Sequence, residues 1–156
     1  MNALLAVDVG IRAGLAFYDG DGQLQSYRSH NFGSRSRLRA GVRTILAENP
    51  ELQVLLLEGG GTIADIWERA AERQDLEVIQ VSAETWREAL LLPREQKSGA
   101  QAKGVADGLA RSVITWSAAP EPTSLRHDAA EAILAGLWGV DKLGWLSAQP
   151  ADILRS

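Results

Sequence analysis

Arg126-His-Asp-Ala-Ala-Glu-Ala-Ile-Leu-Ala-Gly-Leu-Trp-Gly139 is the stretch on which the fold turns. Between positions 128 and 138 its only polar side chains are Asp128 and Glu131. Three residues apart, they share one face of a helix, one turn from each other. The other residues are Ala, Ile, Leu, Gly and Trp, so most faces of that helix are expected to be buried. A buried carboxylate is costly without a counter-charge, hydrogen-bond donors or a metal ion. Two readings are open: a pair of acids suited to the helix N-terminal dipole, or two ligands of a shared positive charge. The rest of the chain has to decide between them.

Upstream, residues 3–8, Ala-Leu-Leu-Ala-Val-Asp, read as a strand buried on both faces that ends in Asp8. Residues 12–18 read as a second strand, Asp19-Gly-Asp-Gly22 as a hairpin turn, and 23–32 as a third strand. Ser34 caps a helix running to about residue 48, with Leu38, Val42, Ile45 and Leu46 as its apolar stripe. Arg35, Arg39 and Arg43 repeat every four residues beside that stripe, as a solvated face or a phosphate-contacting ridge.

Gln53-Val-Leu-Leu-Leu-Glu58 reads as a central parallel strand that also ends in an acid, followed by Gly59-Gly-Gly61. Thr62 is a candidate cap for the next helix. Its Ile63, Ile66, Trp67, Ala70 and Ala71 keep a helical period, for packing on the sheet or for a subunit interface. Residues 76–81 form a fifth strand, Ser82 and Thr85 cap a helix that Pro93 stops, and 96–116 form a long helix. A loop at 118–124 precedes the helix of Asp128 and Glu131, and residues from 141 onward read as a short tail of one domain spanning 1–156.

The order is therefore β-β-β-α-β-α-β-α-α: a five-stranded mixed sheet, three antiparallel strands then two parallel ones, flanked by helices. With the first strand central and the fourth beside it in parallel, Asp8 and Glu58 end at the same sheet edge, where open α/β sheets place ligands. A helix packed there brings Asp128 and Glu131 to them. Four carboxylates suit Mg²⁺ or Mn²⁺, hard cations that prefer oxygen ligands. Two such ions about 3.5–4 Å apart can clamp the attacking and leaving oxygens of a phosphoryl group.

Leu-Leu-Ala-Val-Asp8-Val-Gly10, Val-Leu-Leu-Leu-Glu58 and Asp128-Ala-Ala-Glu131-Ala resemble, in that order, the motifs of the RuvC-type Holliday junction resolvases of the RNase H-like nuclease superfamily. The resemblance covers roughly residues 3–140. It implies a DNA endonuclease with Asp8, Glu58, Asp128 and Glu131 holding two Mg²⁺ or Mn²⁺ ions. The family's last acid is usually an aspartate, and here it is Glu131. Trp86-Arg-Glu-Ala-Leu-Leu-Leu-Pro93 with Lys97 resembles a segment that precedes a basic helix in small and phage-type relatives. By resemblance the substrate is branched DNA, a four-way junction nicked symmetrically by a homodimer. The helix of Ile63, Ile66 and Trp67 is then the dimer contact. Lys97 and Lys103 are the first choices for backbone phosphate contacts or for transition-state charge, with Arg94 nearby and Arg35, Arg39 and Arg43 second.

Composition is compatible with this chemistry without requiring it. The 156 residues are 46% hydrophobic and 23% charged, with a net charge of −4 that argues against bulk attraction to nucleic acid. The charges segregate, however: positions 34–43 carry four arginines and no acid. There is no cysteine, which excludes thiolate metal sites and fits a reducing cytoplasm. The first residues lack the pattern of a signal peptide, and no apolar run approaches the ~20 residues of a membrane span. His127 points about 100° away from Asp128 on the same helix and reads as a bystander or as a group that supports the acids from behind, with substrate contact the minority reading; His30 reads as structural. Trp116, Trp138 and Trp145 suit the core or base stacking. Rival readings are another RNase H-like nuclease such as a YqgF-like protein, a non-catalytic DNA-binding relative, and one lobe of an actin-like ATPase.

Overall fold

In the computed structural model, which describes residues 2–155, the three opening strands are β1 (Leu4–Asp8), β2 (Arg12–Tyr18) and β3 (Leu24–Asn31). The turn between β2 and β3 is closed by Asp19, whose Oδ1 accepts from the amides of Asp21 and Gln23 at 2.9 and 3.0 Å. Gly22 supplies the positive φ of +77° that this turn needs. Then follow α1 (Arg35–Glu48), β4 (Val54–Glu58), α2 (Gly61–Arg73), β5 (Glu77–Val81), α3 (Ala83–Leu90), α4 (Gly99–Ser117), α5 (His127–Lys142) and α6 (Pro150–Leu154).

The sheet order is β3-β2-β1-β4-β5, with β1 central, antiparallel to β2 and parallel to β4. This is the mixed sheet expected from the sequence. Alternation along the strands divides the core in two. Leu4 and Ala6 face α3, α4 and α5, whereas Leu5 and Val7 face α1 and α2. Every apolar residue of β1 and β4 is thus covered on one side or the other, which explains their unbroken hydrophobic runs.

Several expectations need correction. Asp141 and Lys142 complete α5, and the supposed tail folds back as α6, where Ile153 and Leu154 are buried against the α4–α5 core. Proline at the first turn suits that short helix, because its missing N–H has no intrahelical partner there. The long helix begins at Gly99 under a Ser98 cap, after a single 3₁₀ turn at Pro93–Glu95. Thr62 is not a cap; Gly60 occupies that position. Trp67, offered as a dimer contact, is wholly buried and meets Phe32 edge-on at 6.3 Å, so it belongs to the sheet-packing side of its stripe. None of the described helices is long and apolar enough to cross a membrane.

Candidate active site

One row of residues crosses all five strands near a common edge: Ser29, Gly14, Asp8, Glu58 and Val81 are successive partners. Residues in one such row project to the same face. Asp8 and Glu58 follow the parity of Leu4, Ala6, Val54 and Leu56, so they face α5 rather than α1 and α2. The gap in the row is Gly14. A Cβ built there would lie 1.8 Å from the carbonyl oxygen of Asp128. The first turn of α5 therefore rests directly on β2, which sets Asp128 and Glu131 above Asp8 and Glu58. Farther along α5, Gly136 gives the same close approach to the buried ring of Tyr18, whose hydroxyl donates to the Ile133 carbonyl.

Each α5 acid has defined partners. Asp128 Oδ2 accepts from Ser29 Oγ at 2.9 Å and Oδ1 from the amide of Ala129 at 2.8 Å. Glu131 Oε1 accepts from Arg87 Nη2 at 2.5 Å and lies 2.9 Å from His127 Nε2. Glu58 and Glu131 are only 8% and 3% exposed, and the Oε2 of each is buried without a hydrogen-bond partner. The indole N–H of Trp86 and Nε of Arg87 are likewise buried and unpaired.

Charge crowds this pocket. Burial, then the charges of Glu131 and Asp128, push the Asp8 carboxyl up to about 7 against the pull of Arg87. Burial, then Asp8 and Glu131, push Glu58 up to about 8, opposed by the nearby Trp86 indole, which makes no full hydrogen bond to it, and by Arg87. A carboxyl kept neutral by its neighbours lacks positive charge. Arg87, with 27% of its side chain exposed, acts on Asp8 and Glu58 at a distance and forms its ion pair with Glu131.

The donor set fits a hard divalent cation: all four acids offer oxygen, and two buried carboxylate oxygens have nothing to bind. In the present arrangement, among the described residues, no three His, Asp or Glu side chains converge closely enough to hold one. Here Glu131 Oε1 is turned to Arg87 and His127, and Asp128 to Ser29.

The same architecture occurs in solved structures. RuvC of Thermus thermophilus in complex with a Holliday junction substrate superposes with a TM-score of 0.63 over 92% of this chain and 97% of that one, at 16% identity. The chain has the fold of RuvC. A second Thermus thermophilus RuvC structure gives 0.62 over 90% and 96%, again at 16% identity. The yeast mitochondrial Holliday junction resolvase Ydc2 gives 0.50 over 92% and 82%, at 14% identity. No family model matches the sequence, and no curated protein matches it. The likeness to RuvC is thus one of structure far beyond what sequence identity carries.

Within this RuvC fold the other residues named from sequence divide by face. Lys97 precedes α4 and Lys103 lies in its first turns; both are exposed, as is Arg94, and α4 packs beside α5 on the carboxylate side. Arg35, Arg39 and Arg43 are exposed on α1, across the sheet from the acids. Ile63 and Ile66 are half-buried on α2. Two partners of the acids escaped the sequence reading, Ser29 and Arg87. His127, weighed from sequence as a bystander or a supporting group, takes the supporting place beside Glu131, four residues on along α5.

Removing one member of a buried ion pair strands the other. Arg87→Met is expected to destabilise the metal-free protein by about 2–3 kcal/mol at neutral pH, discounted for the arginine's partial exposure. Urea unfolding would measure it, and Arg87→Met with Glu131→Gln should recover most of the loss. No recovery in the double variant would mean that Arg87 acts through its packing on Trp86 instead.

Proposed function

We propose that the chain is a divalent-metal-dependent endodeoxyribonuclease that resolves four-way DNA junctions by paired nicks, each hydrolysis leaving a 5′-phosphate and a 3′-hydroxyl. One observation carries the reading: Asp8 and Glu58 stand side by side in register beneath Asp128 and Glu131, in a RuvC fold. A bound pair of Mg²⁺ or Mn²⁺ ions would supply activation of the attacking water and charge relief at the leaving oxygen.

The residues' own part is positional. Asp8 and Glu58 project from strands fixed on both sides by the sheet, so their carboxylates start from a rigid base. Ser29 orients Asp128, while Arg87 and His127 orient Glu131. Because Asp8 and Glu58 hold protons to about 7 and 8, loading competes with protonation. Cleavage is therefore expected to rise with pH through that interval before levelling.

Lys97, Lys103 and Arg94 are the proposed backbone contacts on this face, and losing one should weaken binding almost uniformly across sequences. Paired nicking calls for two active sites and hence a homodimer. With Trp67 buried, Ile63 at the start of α2 is the apolar group left for that contact, while Ile66 lines a groove described below.

The test is a labelled synthetic four-way junction incubated with the protein and Mg²⁺ or Mn²⁺, beside flap and duplex controls. Symmetric nicks that require the metal are expected. Preferential cutting of flaps would assign a different branched-DNA nuclease, and no cutting of any substrate with either metal would sink the nuclease reading.

A further inference from the structure

On the side of the sheet away from the carboxylates, α1 and α2 enclose a groove of about 190 Å³ lined by Arg39, Arg43, Ile66, Arg69, Ala70 and Arg73. Arg39 and Arg43 are one turn apart on α1, and Arg69 and Arg73 one turn apart on α2. All four arginines are exposed, and among the described residues none lies in an ion pair. The acids of α2, Asp65, Glu68 and Glu72, are absent from its lining and line a neighbouring depression that Arg69 also borders. A chain with a net charge of −4 thus concentrates four unpaired guanidinium groups in one small groove.

We propose that this groove is a second nucleic-acid site, which holds the phosphate backbone of a strand other than the one being cut. Guanidinium groups present paired N–H donors that match phosphate oxygens. On each helix the two arginines step by about 6 Å along the axis, so the facing rows can meet successive phosphates where a single anion would engage only one end. The floor offers only Ile66 and Ala70, too little apolar surface to anchor a protein partner. The sheet and the α1–α2 layer separate this groove from Asp8 and Glu58, so one phosphate cannot touch both. The ligand class rests on the nuclease reading above; the binding itself does not depend on cleavage.

The experiment measures anisotropy of a labelled single-stranded oligonucleotide with the protein in EDTA, across a series of salt concentrations. Arg43→Gln with Arg73→Gln is expected to weaken binding at least about 10-fold. It should also lower the slope of log K against log salt by about 1.4, that is, roughly 0.7 for each lost contact to a single strand. The doubly lysine-substituted protein should recover the slope. Both positions are exposed, so an unchanged melting temperature is expected of each variant. Wild-type affinity and slope in the glutamine variant would overturn the proposal, as would absence of binding by the wild type. Equal displacement by pyrophosphate, charge for charge, would reassign the groove to a small anion, and equal displacement by polyglutamate to an acidic protein. A junction cut normally while the slope is unchanged rejects the groove and spares the nuclease. Loss of slope in a protein that cuts no DNA does the reverse.

Discussion

Asp8→Asn is expected to abolish junction cleavage, by a factor of about 10³ or more, while making the metal-free protein more stable at pH 8. The two effects have one cause. Asp8 lies where burial and the charges of Glu131 and Asp128 raise its carboxyl to about 7. A group whose folded value lies above its ordinary value binds protons more tightly when folded. Its contribution to stability is greatest at low pH and is lost as pH rises between about 4 and 7. Glu58 behaves in the same way up to about 8. Above that window the wild type keeps crowded anions that asparagine does not carry, and the variant should gain about 1–2 kcal/mol. Below about pH 4 the two proteins should converge, since both side chains are then neutral. Mg²⁺ or Mn²⁺ should raise the melting temperature of the wild type at pH 8 and leave the variant nearly unmoved. A variant less stable than wild type at pH 8 would mean that the Asp8 carboxylate is held by hydrogen bonds instead of strained by its neighbours. Cleavage within tenfold of wild type would remove Asp8 from the chemistry.

The elements that place Asp8 and Glu58 were legible because a strand buried on both faces cannot alternate. Leu4 to Val7 and Val54 to Leu57 are continuous apolar runs, and only neighbouring central strands are covered on both sides. The acids on α5 were legible for a related reason: in a helix whose sequence is otherwise apolar, a carboxylate is an exception that needs a partner. What supplies those partners was not legible. Arg87 lies on a short helix that also exposes Glu84 and Glu88, and in one dimension it is one more surface charge. Ser29 is an ordinary strand residue until β3 is aligned with β2 and α5 is laid over both. The stripe of Trp67 has the same period whether it faces the sheet or another subunit, and only burial decides. Arg69 and Arg73 join Arg39 and Arg43 through the packing of two helices whose sequences say nothing about each other. Ile153 and Leu154 are too few to announce a helix, yet enough to hold one against α4.

Gly14→Ala should be the most damaging single methyl group in the chain. The added carbon would lie 1.8 Å from the Asp128 carbonyl oxygen, 2.3 Å from its carbon and 2.9 Å from the Ala129 nitrogen. All three obstacles are backbone, so no side-chain rotation relieves them. Either the first turn of α5 lifts from β2 or β2 bends away from β1, and both remove burial from the core around Ala130 and Ile133. Overpacking against yielding side chains costs about 1–3 kcal/mol; against backbone on both sides the loss should reach at least about 3 kcal/mol, or about 10 °C in melting temperature for a domain of this size. Lifting α5 would also draw Asp128 from Ser29 and from Asp8, so any protein that still folds should lose metal-induced stabilisation as well. Gly20→Ala is the matched control, because a Cβ there meets nothing within 4 Å and should change stability by less than about 0.5 kcal/mol. A Gly14→Ala protein that melts with the wild type would show that α5 stands farther from β2 than this contact requires. The placement of Asp128 and Glu131 over Asp8 and Glu58 would then lose its structural basis.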